Sequence, residues 1–235
     1  MTRARAALLL PLALVACGGP RSQQDAPAQA TRPPSAPAAA SIATAMDAPP
    51  ANASYVLPGV FAPDMDVERL VRRFGKDNVR IGEVPGAEGE RVDGVVLFPD
   101  DPARRAYLYF EDAQRNAGLG LVRVFDQGSR WRLDNGIGLG TPLSDILRRN
   151  GRPIRFFGLD WDYGGNITDW GGGRLDPKDD PVRRGMTLGA RADIGERPYP
   201  MGDAEFRSDD AKFPDIGSDL VVDEISVSFP GEDDL

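Results

Sequence analysis

Helical periodicity occurs twice in this chain, and each time a glycine stops it after about two turns. Val67, Leu70, Val71 and Phe74 fall at i, i+3, i+4 and i+7, with Gly75 next; Leu143, Ile146 and Leu147 repeat part of that spacing, and Gly151 follows. Apolar residues so spaced lie along one side of a helix, and a glycine after them accepts the positive φ of a C-terminal cap. The first helix is expected to begin near Asp64 or Asp66. For the second, Thr141 is the expected N-cap and Pro142 the first helical residue, where a missing N–H costs nothing. Helices this short depend on tertiary packing, so each must lay its apolar stripe on another layer.

That layer reads as strands. Asn78–Val84, Val92–Phe98, Arg105–Glu111 and Leu119–Phe125 are short segments separated by turn residues. In the third of them Ala106, Leu108 and Phe110 share one face while Tyr107, Tyr109 and Glu111 take the other. Ile154–Phe157 and Ile167–Trp170 are expected to pair as a hairpin around Gly164-Gly165. Met186–Ile194 is a further strand, and Val221–Phe229 closes the fold with Ile225, Val227 and Phe229 on one face. The expected class is α+β: two short helices on a mostly antiparallel sheet. At one constant offset Val67, Leu70 and Val71 meet Leu143, Ile146 and Leu147, and Arg72, Arg73 and Gly75 meet Arg148, Arg149 and Gly151. The reading drawn from this is a tandem repeat of one helix–β-meander unit, although the strands after each helix do not align.

All three tryptophans lie between Trp131 and Leu175. Within that stretch, Asp160-Trp161-Asp162-Tyr163-Gly164-Gly165-Asn166-Ile167-Thr168 partly fits a calcium loop, with carboxylates at positions 1 and 3 and glycine at 6. Position 5 is Gly164 and position 12 is Gly171, where a bidentate glutamate is required. Asp160 and Asp162 are therefore the candidate metal ligands of an incomplete motif. Phe157, Trp161 and Tyr163 are expected on one face. Trp161, Tyr163 and Trp170 form the candidate binding surface, since tryptophan and tyrosine dominate recognition hot spots. Gly195–Asp219 is a long connection anchored by Tyr199, Phe206 and Phe213, of a length that is often functional.

The beginning of the chain reads as an address. Arg3 and Arg5 precede an apolar run from Ala6 to Ala16, the outline of a signal peptide over residues 1–16. Leu14-Val15-Ala16-Cys17 resembles the lipobox of bacterial lipoproteins, which implies a diacylated Cys17, and Gly18 in place of aspartate implies the outer membrane. Residues 17–54, rich in alanine and proline, offer no apolar face and read as a disordered linker. A coil of this length spans roughly 30–40 Å. The globular domain is expected over residues 55–230, with an acidic tail over 231–235.

Composition then removes function classes. The only cysteine is Cys17 and there is no histidine, which excludes Ser–His–Asp and Cys–His hydrolases and His-ligated metal centres. A formal net charge of -8 argues against nucleic acid, which needs a basic footprint. No cofactor is expected. The membrane contact falls to the lipid anchor.

Gly136-Ile137-x-Leu139-Gly140-Thr141-x-Leu143, Asn150-Gly151-x-Pro153 and Gly158-x-x-Trp161-Asp162-Tyr163-x-Gly165 together resemble a group of uncharacterised bacterial secreted or lipid-anchored proteins. Phe74-Gly75-x-x-Asn78-Val79 and Leu97-Phe98-Pro99-Asp100-Asp101-Pro102 extend the likeness over roughly Leu57 to Leu175. More distantly, the helix–glycine–meander pattern is similar to β-lactamase-inhibitor-like proteins and small outer-membrane assembly lipoproteins, and that similarity implies protein binding without catalysis. The expected function is accordingly a non-catalytic, lipid-anchored outer-membrane protein facing the periplasm that binds an envelope protein or other envelope component. The alternatives are an enzyme acting on a glycan-like substrate through paired aspartates among Asp160, Asp162 and Asp169, and a calcium-stabilised binding module.

Overall fold

A computed structural model describes residues 55–177 and 180–230 of the chain. The expected signal peptide, the Cys17 lipid site, the linker over 17–54 and the acidic tail over 231–235 lie outside the described residues.

In chain order the strands are β1 (Val56–Leu57), β2 (Val79–Pro85), β3 (Arg91–Leu97), β4 (Ala106–Asp112), β5 (Ala117–Val124), β6 (Arg132–Leu133), β7 (Arg155–Phe157), β8 (Ile167–Asp169), β9 (Arg183–Ala190), β10 (Glu205–Arg207) and β11 (Leu220–Ser228). The helices are α1 (Val67–Phe74), α2 (Leu143–Asn150) and the short α3 (Ile216–Asp219). The protein is α+β. A six-stranded antiparallel sheet runs in the order β2-β3-β4-β5-β11-β9, beside a three-stranded antiparallel sheet β10-β7-β8 and a two-residue parallel pair β1-β6.

Helix α1 starts and stops where its sequence says it should. Asp66 accepts the Arg69 N–H at 2.7 Å as N-cap, and the Gly75 N–H reaches the Val71 carbonyl at 2.9 Å with φ of 87°. Leu70 and Phe74 are buried. Helix α2 ends as expected in a left-handed Gly151, but its start corrects the reading of Thr141 as N-cap. The Thr141 side chain instead accepts the Gly138 N–H at 3.2 Å, and Pro142 holds the cap position without a side-chain bond. The reason lies in β11: Gly140 donates to the Val222 carbonyl and Val222 donates back to Thr141, at 2.8 and 2.9 Å. Residues 140–142 are thereby held alongside β11, and the hydroxyl closes the turn before them.

Alternation in the sheet puts Val95, Leu97, Ala106, Leu108, Phe110, Val122, Val124, Met186, Leu188, Val222, Ile225 and Val227 into one core. Tyr55, Phe61, Phe74, Phe98 and Trp131 add an aromatic cluster with ring centroids 5.2–6.3 Å apart. Burial of these side chains is the main favourable term in folding. The likeness between α1 and α2 does not extend to their strands. Those after α1 form a consecutive β2-β3-β4-β5 meander, whereas those after α2 divide between two sheets.

Candidate functional site

The second face of the six-stranded sheet is not a plain solvated surface. Strand alternation places Tyr107 and Tyr109 on it from β4 and Arg123 from β5, with Phe125 just beyond β5, Glu224 from β11 and Thr187 from β9. Tyr107 stacks on Phe125 with centroids 4.4 Å apart and planes 2° from parallel. The Arg123 guanidinium forks onto Glu224 with bonds of 2.8 and 2.7 Å and lies over the Phe125 ring at 5.4 Å. Such a planar, bidentate pair is the stronger kind of ion pair. The Glu224 hydrogen bonds hold Arg123 above its ordinary pKa, against the opposing effect of burial. Burial also pushes the Tyr109 phenol up.

Two walls flank this floor. One is the tip of the β2–β3 hairpin. Only Val95–Leu97 of β3 pair with β4, so residues 91–94 stay paired with β2 but part from β4, and the hairpin end comes over the open face of the sheet, where Pro85 meets Tyr109. Gly94 permits this, because a Cβ there would sit 2.6 Å from the Leu108 carbonyl oxygen and 2.7 Å from Val84 Cγ2. The Tyr109 hydroxyl then donates to the Pro85 carbonyl at 2.6 Å, fastening the arm to the floor.

The other wall is the aromatic turn. Phe157, Trp161 and Tyr163 do share a face, as an edge-to-face series with centroids 5.5 and 5.4 Å apart. The Trp161 indole N–H donates to the Gly158 carbonyl at 2.8 Å, which sets the ring. Gly165, at φ of 77°, lies so close to β9 that a Cβ would overlap the Leu188 carbonyl oxygen. That approach allows Leu188 N–H to reach Gly165 O at 2.8 Å and Thr187 Oγ1 to reach Asn166 Oδ1 at 2.9 Å. The turn is thus clamped to the edge of the sheet, with Tyr163 left 47% exposed.

Between the walls lies a cleft of about 690 Å³, floored by Tyr109, Leu121, Arg123 and Glu224 and walled by Glu88 and Val92 on one side and Asp162 and Tyr163 on the other. Apolar and aromatic lining with a few placed polar groups is the usual make-up of a binding site.

The candidate surface is therefore split. Trp161 is half-buried and Tyr163 exposed at the cleft, but Trp170 is a correction: it is only 9% exposed and belongs to the core. The strand before it, β8, ends in Asp169, whose carboxylate accepts the Gly171 N–H at 2.7 Å, so the chain turns and carries the indole inward. Among the candidate carboxylates, Asp160 accepts the Tyr199 hydroxyl at 2.8 Å and buttresses the turn, while Asp162 stands at the cleft. Among the described residues no three acidic, histidine or cysteine side chains gather as a metal site. Residues 195–219 turn out to be largely structural. Strand β10 pairs with β7, Leu159 and Met201 bridge, and Tyr199, Phe206 and Phe213 pack against the core.

Sequence reading missed the floor. Its one available signal was the presence of aromatics on both faces of β4, where the solvent face of an ordinary strand is polar. Asn150 of the Asn-Gly-x-Pro motif is buried and structural: its amide donates to the Arg152 and Trp170 carbonyls and accepts the Leu175 N–H, at 2.9, 2.8 and 3.1 Å. Among the described residues no helix is long and apolar enough to cross a membrane. Comparison with protein-family models, with characterised proteins and with solved structures returns no match for this chain.

Proposed function

We propose that this chain is a non-catalytic binding protein of the bacterial envelope, held by acyl chains on Cys17 at the periplasmic side of the outer membrane. Its recognition site is the cleft between the hairpin arm and the Trp161–Tyr163 turn, and its ligand an envelope protein or other envelope component. The observation that carries the reading is the position of Tyr163, an exposed aromatic on a clamped turn at the mouth of a cleft. An aromatic that is rigid before binding loses little entropy on contact, the property that makes tyrosine a hot-spot residue. The Arg123–Glu224 pair supports binding over catalysis: each charge is already committed to the other, so both act as fixed polar floor rather than as a free acid or base.

The test is site-specific photo-crosslinking in cells. A crosslinker replacing Tyr163 is expected to trap a discrete partner, while one replacing Glu68 on the exposed side of helix α1 traps none. Equal adducts from both positions would remove the cleft as the site. The anchor is tested by metabolic labelling with a fatty-acid analogue, which Cys17→Ser is expected to abolish.

A further inference from the structure

We infer that the cleft takes an extended, lysine- or arginine-bearing segment of a partner protein. This rests on reading the cleft as the binding site and adds the chemistry of what fills it.

The first argument is charge. Arg123 and Glu224 cancel at the floor, bonded to each other at both oxygens. The remaining ionic groups of the lining are Glu88 on the hairpin arm and Asp162 on the aromatic turn. Among the described residues neither carboxylate has a hydrogen-bond or ion-pair partner. One unpaired negative charge therefore stands on each wall, with Tyr163 beside Asp162. A cationic side chain would meet a carboxylate from either side and an aromatic face beside it, and both attract it. A second acidic group, or a phosphate, would be repelled from both walls.

The second argument is extent. The lining draws on five neighbouring strands, from Val92 in β3 through Tyr109, Leu121 and Glu224 to Thr187 in β9. From β4 to β9 three inter-strand spacings of about 4.8 Å make a floor about 14 Å long, which is the reach of about four residues of extended chain between the walls. A small amine would fill only a fraction of it. A peptide segment fills it and can place basic side chains at both walls.

The experiment uses the full chain and three probes in isothermal titration: a capped hexapeptide alternating lysine and alanine, the same peptide with every lysine acetylated, and spermidine. The lysine peptide is expected to bind and to weaken as salt rises, because charges on the walls are screened by ions. The acetylated peptide should bind at least about tenfold more weakly. The double variant Glu88→Gln/Asp162→Asn should also lose about tenfold, with an unchanged melting temperature, since both groups are surface carboxylates without partners. Equal binding of charged and acetylated peptides, or of wild type and the double variant, overturns the cationic assignment. Spermidine binding as tightly as the peptide overturns the assignment to a protein segment. A lysine peptide that fails to bind, while the Tyr163 crosslinker still traps a partner, likewise removes the charge assignment and leaves the cleft reading standing. Loss of that crosslink removes the cleft reading itself.

Discussion

Arg123 and Glu224, 101 residues apart in the chain, meet across strands β5 and β11 as a two-bonded ion pair at 2.8 and 2.7 Å. Their side chains keep only 27% and 17% of their exposure. The pair joins the first meander to the last strand on the face of the sheet opposite the core. Removing one partner strands the other charge in a half-dry site, whereas removing both does not.

Arg123→Met is therefore expected to cost about 2 kcal/mol of stability, below the full cost of breaking a buried pair because water still reaches part of it. The double variant Arg123→Met/Glu224→Leu should recover more than half of that loss. Urea denaturation of the two single variants and the double one measures the coupling. Additive losses would show that the pair is decorative.

Gly165→Ala should detach the aromatic turn from β9. The residue has φ of 77° and no room for a Cβ against Leu188. Strain and steric overlap together are expected to exceed about 2 kcal/mol. Hydrogen exchange is the sharper readout: the Leu188 amide should lose protection first, because its acceptor is Gly165 O.

Trp170 and Tyr163 should behave as opposites. Trp170→Ala empties part of the core and is expected to cost about 3–5 kcal/mol. Tyr163→Ala removes a side chain that is 47% exposed and should shift stability by less than about 1 kcal/mol. Thermal melts of the two variants, followed by the crosslinking assay on the one that stays folded, separate core from recognition surface.

Acid should weaken one specific fastening. The Arg184 guanidinium donates to Asp134 at 2.8 and 2.7 Å and to Asp180 at 2.6 Å. Its hydrogen bond holds the Asp134 carboxyl below the ordinary value of 3.8, outweighing partial burial. A carboxylate whose folded-state pKa is depressed stabilises the fold above its unfolded value and loses that contribution as pH falls through the folded one. The melting-temperature gap between wild type and Arg184→Met should therefore be constant above about pH 5 and close below about pH 4. A gap that widens towards acid would reverse the assignment.

Much of the scaffold was legible in the sequence because it is written in local, periodic terms. The spacing of Val67, Leu70 and Phe74 and the glycine after them specify α1 wherever it packs. The alternation of Ala106, Leu108 and Phe110 specifies which face of β4 turns inward. Thr141 was misread for a non-local reason: β11, some eighty residues later, pairs with its backbone and takes it out of the cap geometry. Trp170 was misread because inward and outward aromatics look alike in a sequence once a turn such as that at Asp169 interrupts the strand period.

What the sequence determined by itself was the content of the fold: two short glycine-stopped helices, a set of antiparallel strands, and an aromatic, acidic turn around Trp161 and Tyr163. What only the tertiary structure decided was the cleft. Its floor comes from β4, β5, β9 and β11, and its walls from the arm at Glu88 and the turn at Tyr163. No periodicity links these positions, because strand order is set by which faces bury one another, and that is a property of the whole sheet. Arg123 and Glu224 carry no mark of each other until β5 and β11 are laid side by side.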